Sequence, residues 1–165
     1  MPSRNLIVIF LIGVLGVFAG WFFYNKQDDK PLRLLPYFGP KHALKVNDTS
    51  YHSIADFSFT NQYGKTITQK DFEGKIYVCK SFFTTCKSIC PIMNTEMTRV
   101  YKEFKARSDF KILSLTVDPE TDSVAQLAQH AKNYGVTDDI WWFATGSKKD
   151  LYELTRKSFL LTVEE

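Results

Sequence analysis

The chain has 165 residues and carries 21 basic against 18 acidic side chains, a net charge of +3. The two signs are interspersed with no basic stripe, which excludes a phosphate-backbone partner such as nucleic acid. Three cysteines, Cys79, Cys86 and Cys90, are too few to staple a miniprotein, while 14 Phe, 8 Tyr and 3 Trp supply one packed core of ordinary domain size.

From Leu6 to Tyr24 the chain reads LIVIFLIGVLGVFAGWFFY, without a charged residue. At about 1.5 Å per helical residue this run just crosses a hydrocarbon core of ~30 Å. Arg4 and the amino terminus precede it, and the following NKQDDK balances its charges, so the positive-inside bias keeps the amino terminus in the cytoplasm. The run exceeds a signal-peptide h-region, no small-x-small pattern follows Trp21, Phe22 and Phe23, and no cysteine follows closely enough for lipid attachment. Residues 1–25 are therefore expected to be an uncleaved, single-pass anchor in a cell inner membrane, with the soluble domain on the periplasmic or extracytoplasmic side. The lack of an Arg- and Ser-rich presequence favours a bacterial membrane over a mitochondrial one. Gly16 and Gly20 form a GxxxG, which in a Gly-rich span reads as incidental.

Residues 26–50 contain Pro31, Pro36 and Pro40 and no sustained period, so they read as a linker. The domain proper is expected over 51–165. IADFSFTNQYGKTIT alternates around a Gln-Tyr-Gly turn, as a β-hairpin does. KIYVCKSFF is a near-continuous apolar run, the signature of a strand covered on both faces. After Pro91, the residues Ile92, Met93, Met97, Val100, Tyr101 and Phe104 fall at helical spacing. FKILSLTV is a second buried strand. The next helix carries Val124, Leu127, Ala128, Ala131 and Tyr134 on one face and stops at Gly135. IWWFAT is a third strand, and Ser147 with Asp150 has the spacing of a capping box for a helix through Leu151 and Leu154. This alternation predicts an α/β fold with a parallel central sheet, flanking helices and a functional loop at the carboxyl end of the first central strand.

That loop is TTCKSICP, residues 84–91. A thiol works as nucleophile or soft-metal ligand only when deprotonated, and the free N–H groups of a helix amino terminus favour the thiolate. Cys90 falls in the first turn, Pro91 suits a helix start, and Cys86 can fold back beside Cys90. Two such sulfurs can bind a soft ion such as Cu(I) or close into a disulfide, and spacing leaves both open. Structural zinc is disfavoured, because no second CxxC or HxxxH occurs. Cys79, inside an apolar strand, reads as a small packing residue. Met93 and Met97 merge with the apolar helix face and read as core. His42 and His52 lie in or near the linker, and His130 reads as a surface or boundary residue. Asp118 and Asp122 begin a helix after a strand, where carboxylates cap N–H groups.

Four stretches in consistent order, DFSFTNQYGKTIT, FFTTCKSICPIMN, LTVDPETD and WWFATGSKKDLYEL, resemble the Sco/SenC family of membrane-anchored, thioredoxin-like copper proteins from about Ser53 to Glu165. The resemblance implies a copper ion held by Cys86, Cys90 and a histidine, and a role in maturing the binuclear copper site of cytochrome c oxidase. The partner would be the copper-accepting subunit of that oxidase. The family's histidine comes from a loop beyond the helix matching Asp150 to Lys157, and this chain ends at Glu165 before it. The carboxyl-terminal strands are therefore expected to be missing. Copper delivery by a metallochaperone is the leading expectation. The alternative is a membrane-anchored thiol-disulfide oxidoreductase in which Cys86 and Cys90 form a catalytic disulfide pair. A tethered interaction module with unused cysteines is a third.

Overall fold

Residues 13–22, 36–45 and 48–162 are described by the structure, a computed structural model, and the chain divides into two units, Met1–Tyr37 and Phe38–Glu165. In the first unit residues 13–22 are helical (α1), and Val14, Leu15, Val17, Phe18, Trp21 and Phe22 are all exposed. The rest of the apolar run Leu6 to Tyr24 lies outside the described residues. Among those described, no helix is long and apolar enough to cross a membrane.

The second unit opens with a short antiparallel pair, β1 (His42–Lys45) and β2 (Asp48–Ser50), within the stretch read as linker. Strands of four and three residues are too short for alternation to register in a sequence. The hairpin follows as β3 (Ser58–Asn61) and β4 (Thr66–Thr68). Its turn is fixed by Asn61, whose Oδ1 accepts from the N–H groups of Tyr63 and Lys65 at 3.0 Å each, and by Gly64 at φ +74°. A 3-10 turn (Gln69–Phe72) leads to β5 (Ile76–Phe82), then α2 (Ile89–Phe104), β6 (Phe110–Thr116), α3 (Val124–Asn133), β7 (Trp141–Thr145) and α4 (Lys148–Glu153). A π-helical turn, Leu154–Ser158, continues α4.

The five-stranded sheet runs β4-β3-β7-β6-β5. β5, β6 and β7 are parallel, and β3 joins β7 antiparallel. The sheet is thus mixed rather than wholly parallel, and β5 pairs on one side only among the described strands. The reason is topological: the crossovers through α2 and α3 step twice in the same direction, which leaves the first parallel strand outermost. Ser147 stands at the N-cap of α4 but its side chain makes no capping bond.

Strand alternation divides the core between the two sheet faces. On one face Phe59, Phe72, Leu113, Leu115, Trp142 and Leu151 pack together. On the other Phe82, Ile112, Leu127, Trp141 and Phe143 meet Cys90 and Tyr101 of α2. The cysteine loop leaves the carboxyl end of β5 above this second face.

Candidate functional site

β5 delivers the chain into the loop, where the Cys86 N–H donates to Phe83 O at 3.3 Å and closes a tight turn. The loop is latched from the side. Asp122, wholly buried, accepts from the Thr84 hydroxyl at 2.5 Å, from the Thr84 N–H at 3.2 Å and from the Thr116 hydroxyl at 2.5 Å. The helix cap expected of Asp122 is made instead by Ser123, whose Oγ accepts from the Gln126 N–H at 3.4 Å. The carboxylate is turned inward and ties the mouth of the loop to the end of β6.

Cys90 is buried in the first turn of α2 and Cys86 stands half-exposed beside it, both as free thiols. The Cys90 side chain beside it is the main reason the Cys86 thiol falls to about 7, and Cys86 Sγ lies 3.8 Å from Ser88 Oγ. The N–H groups of Ser88 and Cys90 at the helix start add to it. Burial pushes the Cys90 thiol the other way, and the Cys86 side chain reinforces that rise. The Cys90 side chain, with the N–H groups of the helix start, therefore activates Cys86, the residue outside the helix, rather than Cys90 within it. Chemically the pair is an exposed thiolate with a buried thiol beside it. That arrangement offers two soft donors to a metal, or an attacking and a resolving sulfur to a disulfide.

Beneath Cys90 lies a polar chain that sequence reasoning missed. Lys80 is 5% exposed, and its ammonium donates to Asn94 Oδ1. Asn94 in turn meets His130 Nε2 at 3.1 Å. His130 is half-buried, at the boundary, with its ring stacked on Phe82 at 5.3 Å and edged by Tyr134 and Phe143. Burial, and then the nearby Lys80 charge, hold its imidazole below the usual range, which favours the neutral form. Burial lowers the Lys80 ammonium to about 8, while the Cys90 sulfur acts in the opposite sense. The signals were present: Lys80 shares the parity of Val78 and Phe82 on the inward face, and Asn94 lies one helical turn after Cys90.

The remaining candidates stand apart from the pair. Cys79 points to the opposite face of the sheet, where burial raises its thiol to about 12 and leaves it inert. Met97 is half-buried and packs against the core cluster that includes Cys90. His52 Nε2 lies 2.7 Å from Ser158 O, and the side chain of His42 lies outside the described residues. Among the described residues no group of three or more His, Cys, Asp or Glu side chains is placed to hold a metal.

Comparison with known proteins gives one consistent result. The family model described as SCO1/SenC matches residues 46–165. The chain is 36% identical over 123 residues to the SCO1 protein homolog of Bacillus subtilis (strain 168), covering 73% of this chain and 64% of that one. It therefore spans 64% of that relative's length. Among solved structures it is similar to BsSco, described as a member of the Sco family of cytochrome c oxidase assembly proteins with a disulfide switch. That match has a TM-score of 0.62 and 37% identity over 69% of this chain and 68% of the other. It is also similar to Arabidopsis thaliana ScoI with copper bound, with a TM-score of 0.54 and 27% identity over 64% and 65% of the two chains.

Proposed function

This chain belongs to the SCO1/SenC family and has its thioredoxin-like fold, and we propose on that footing that it is a copper metallochaperone serving the binuclear copper site of cytochrome c oxidase. The observation that carries the reading is the pair itself. Cys86 and Cys90 stand together at a helix amino terminus, Cys86 half-exposed with its thiol lowered to about 7 and Cys90 buried. Copper is the cargo, and two thiolates are a donor set that suits Cu(I). Cu(II) favours an added nitrogen donor.

The accessible sulfur sets the order of exchange. Cys86 is the first to release copper to an incoming ligand, and Cys90, buried at the helix start, holds the ion until a second acceptor atom arrives. The turn Thr84–Ser88 is the surface that meets the copper-accepting subunit. Residues 1–25 anchor the chain in a bacterial inner membrane, and 51–165 face the periplasm. The uncharged run Leu6 to Tyr24 supports this placement.

A second reading is favoured by the unequal thiols, which suit a thiol-disulfide reductase. The Cys86 thiolate would attack a partner disulfide and form a mixed disulfide. Cys90 would then displace the partner's second sulfur, so that this pair ends oxidised and the partner gains two electrons and two protons. Mixing the Cu(I)-loaded chain with the soluble copper-accepting domain of the oxidase separates the readings. Delivery moves copper to an acceptor with reduced cysteines while Cys86 and Cys90 stay titratable as thiols. Reduction converts an oxidised acceptor to its dithiol form and leaves this pair as a disulfide, with no copper required.

A further inference from the structure

Lys80 is a buried cation whose polar and ring partners are all neutral. Its ammonium donates to Asn94 Oδ1 and sits 5.6 Å from the Phe82 ring centre and 5.8 Å from that of Trp141. The buried carboxylate of the neighbourhood, Asp122, is hydrogen-bonded by Thr84 and Thr116 and makes no direct bond to Lys80. A charge removed from water without a counter-ion is strongly disfavoured, so a lysine kept in this position calls for an anion.

Through Asn94, Lys80 is joined to the helix that carries Cys90. Asn94 follows Cys90 by one turn on the same face of α2, so an ammonium bound to Asn94 is directed at the underside of the site. Asn94 is oriented by its other arm: Nδ2 donates to His130 Nε2, which leaves Oδ1 to accept from Lys80. His130 is held in turn by the rings of Phe82, Tyr134 and Phe143, with centroids at 5.1 to 5.3 Å. The chain Lys80–Asn94–His130 is thus a rigid mount for one positive charge.

We propose that Lys80 is the built-in countercharge for the anionic state of the Cys86/Cys90 pair, with Asn94 and His130 as its positioning residues. Two thiolates around one monovalent copper ion carry one net negative charge. Placing Lys80 beneath them neutralises it inside the protein, so the loaded state does not need a third, anionic ligand. This inference rests on the copper reading for its cargo, but the same charge also favours the free thiolate over the disulfide. It can therefore be tested without copper.

The test uses the full chain in detergent micelles, comparing wild type with Lys80→Met and Lys80→Arg. Cu(I) affinity is read by chelator competition, and the thiol-disulfide equilibrium against glutathione is read in parallel without metal. The melting temperature of the reduced, metal-free protein controls for folding. Lys80→Met is expected to weaken Cu(I) binding about tenfold or more, to shift the glutathione equilibrium toward disulfide by about threefold, and to leave the melting temperature unchanged or higher. Lys80→Arg, which keeps the charge, is expected to stay within about threefold of wild type for Cu(I). Asn94→Asp gives Lys80 a local carboxylate and is expected to reproduce the Lys80→Met losses even where the methionine variant folds poorly. Equal affinity and equal glutathione equilibrium in wild type and Lys80→Met would overturn the proposal. If wild type itself fails to bind Cu(I), the copper reading falls. The glutathione equilibrium then decides for Lys80 alone, a shift with Met but not Arg upholding the countercharge and no shift removing it.

Discussion

Asp122 accepts hydrogen bonds from both the backbone N–H and the hydroxyl of Thr84, so a single buried carboxylate on the approach to α3 sets where the cysteine loop begins. Its third donor, the Thr116 hydroxyl, belongs to the last residue of β6. Loop and sheet are thereby fixed to one point. Asp122→Asn replaces an acceptor by a donor that faces these hydroxyls, and is expected to destabilise the reduced chain by about 1.5–3 kcal/mol in urea unfolding. A loss below about 0.5 kcal/mol would mean the latch is not formed in solution.

Gln62 plays a comparable role at the other end of the sheet. Its Nε2 donates to Trp141 O and its Oε1 accepts from the Phe143 N–H, both at 2.9 Å, so a side chain stands in for the strand that β3 no longer provides there. Gln62→Leu leaves two buried backbone groups unpaired and is expected to cost about 2–4 kcal/mol, measured by the same unfolding assay. Unchanged stability would show that the backbone finds other partners.

The unequal thiols predict an order of reaction. Cys86 ionises near pH 7, so its alkylation by iodoacetamide, followed by mass spectrometry, should reach half its limiting rate about there. Cys90 should ionise above its ordinary value, and Cys79 should stay unmodified while the fold is intact. The sign for stability follows from Cys86 as an acid whose folded pKa is depressed. Its contribution is complete above the unfolded thiol range near 9 and is lost as pH falls through about 7. Modification of Cys90 ahead of Cys86 would contradict the assignment.

How much of this was legible in the sequence depended on whether a feature was periodic. The strand FKILSLTV and the helix from Val124 showed because apolar positions repeat at two or at three and four residues. The loop was placed correctly at the end of its strand, because Pro91 and the polar turn mark a helix start. The position of β5 at one side of the sheet was not legible, since strand order depends on the direction of each crossover and not on any residue within it. Lys80 sits within what reads as an apolar run, and His130 lies at the boundary as its spacing indicates but with a contact to Asn94 that spacing does not reveal. Both take their roles from a partner distant in sequence, as does Asp122, whose local pattern matches that of an ordinary cap.

The anchor has its own consequence. If Leu6 to Tyr24 spans a bilayer, the full chain expressed in bacteria should stay in the membrane pellet after alkaline carbonate extraction. Val17→Arg together with Phe18→Arg should release it, because each arginine near mid-span opposes insertion by about 2.5–3.5 kcal/mol. Wild type in the supernatant would remove the anchor from the account.

The most direct test of the central claim, that Cys86 and Cys90 together hold one copper ion, is an anaerobic Cu(I) titration of the reduced full chain against a competing chelator. It is made beside Cys86→Ala, Cys90→Ala and Cys79→Ala. The account predicts one tightly bound ion per chain, lost in either of the first two variants and unchanged in the third. Undiminished binding in Cys86→Ala or Cys90→Ala, or no binding by wild type while the pair cycles freely against glutathione, would contradict it.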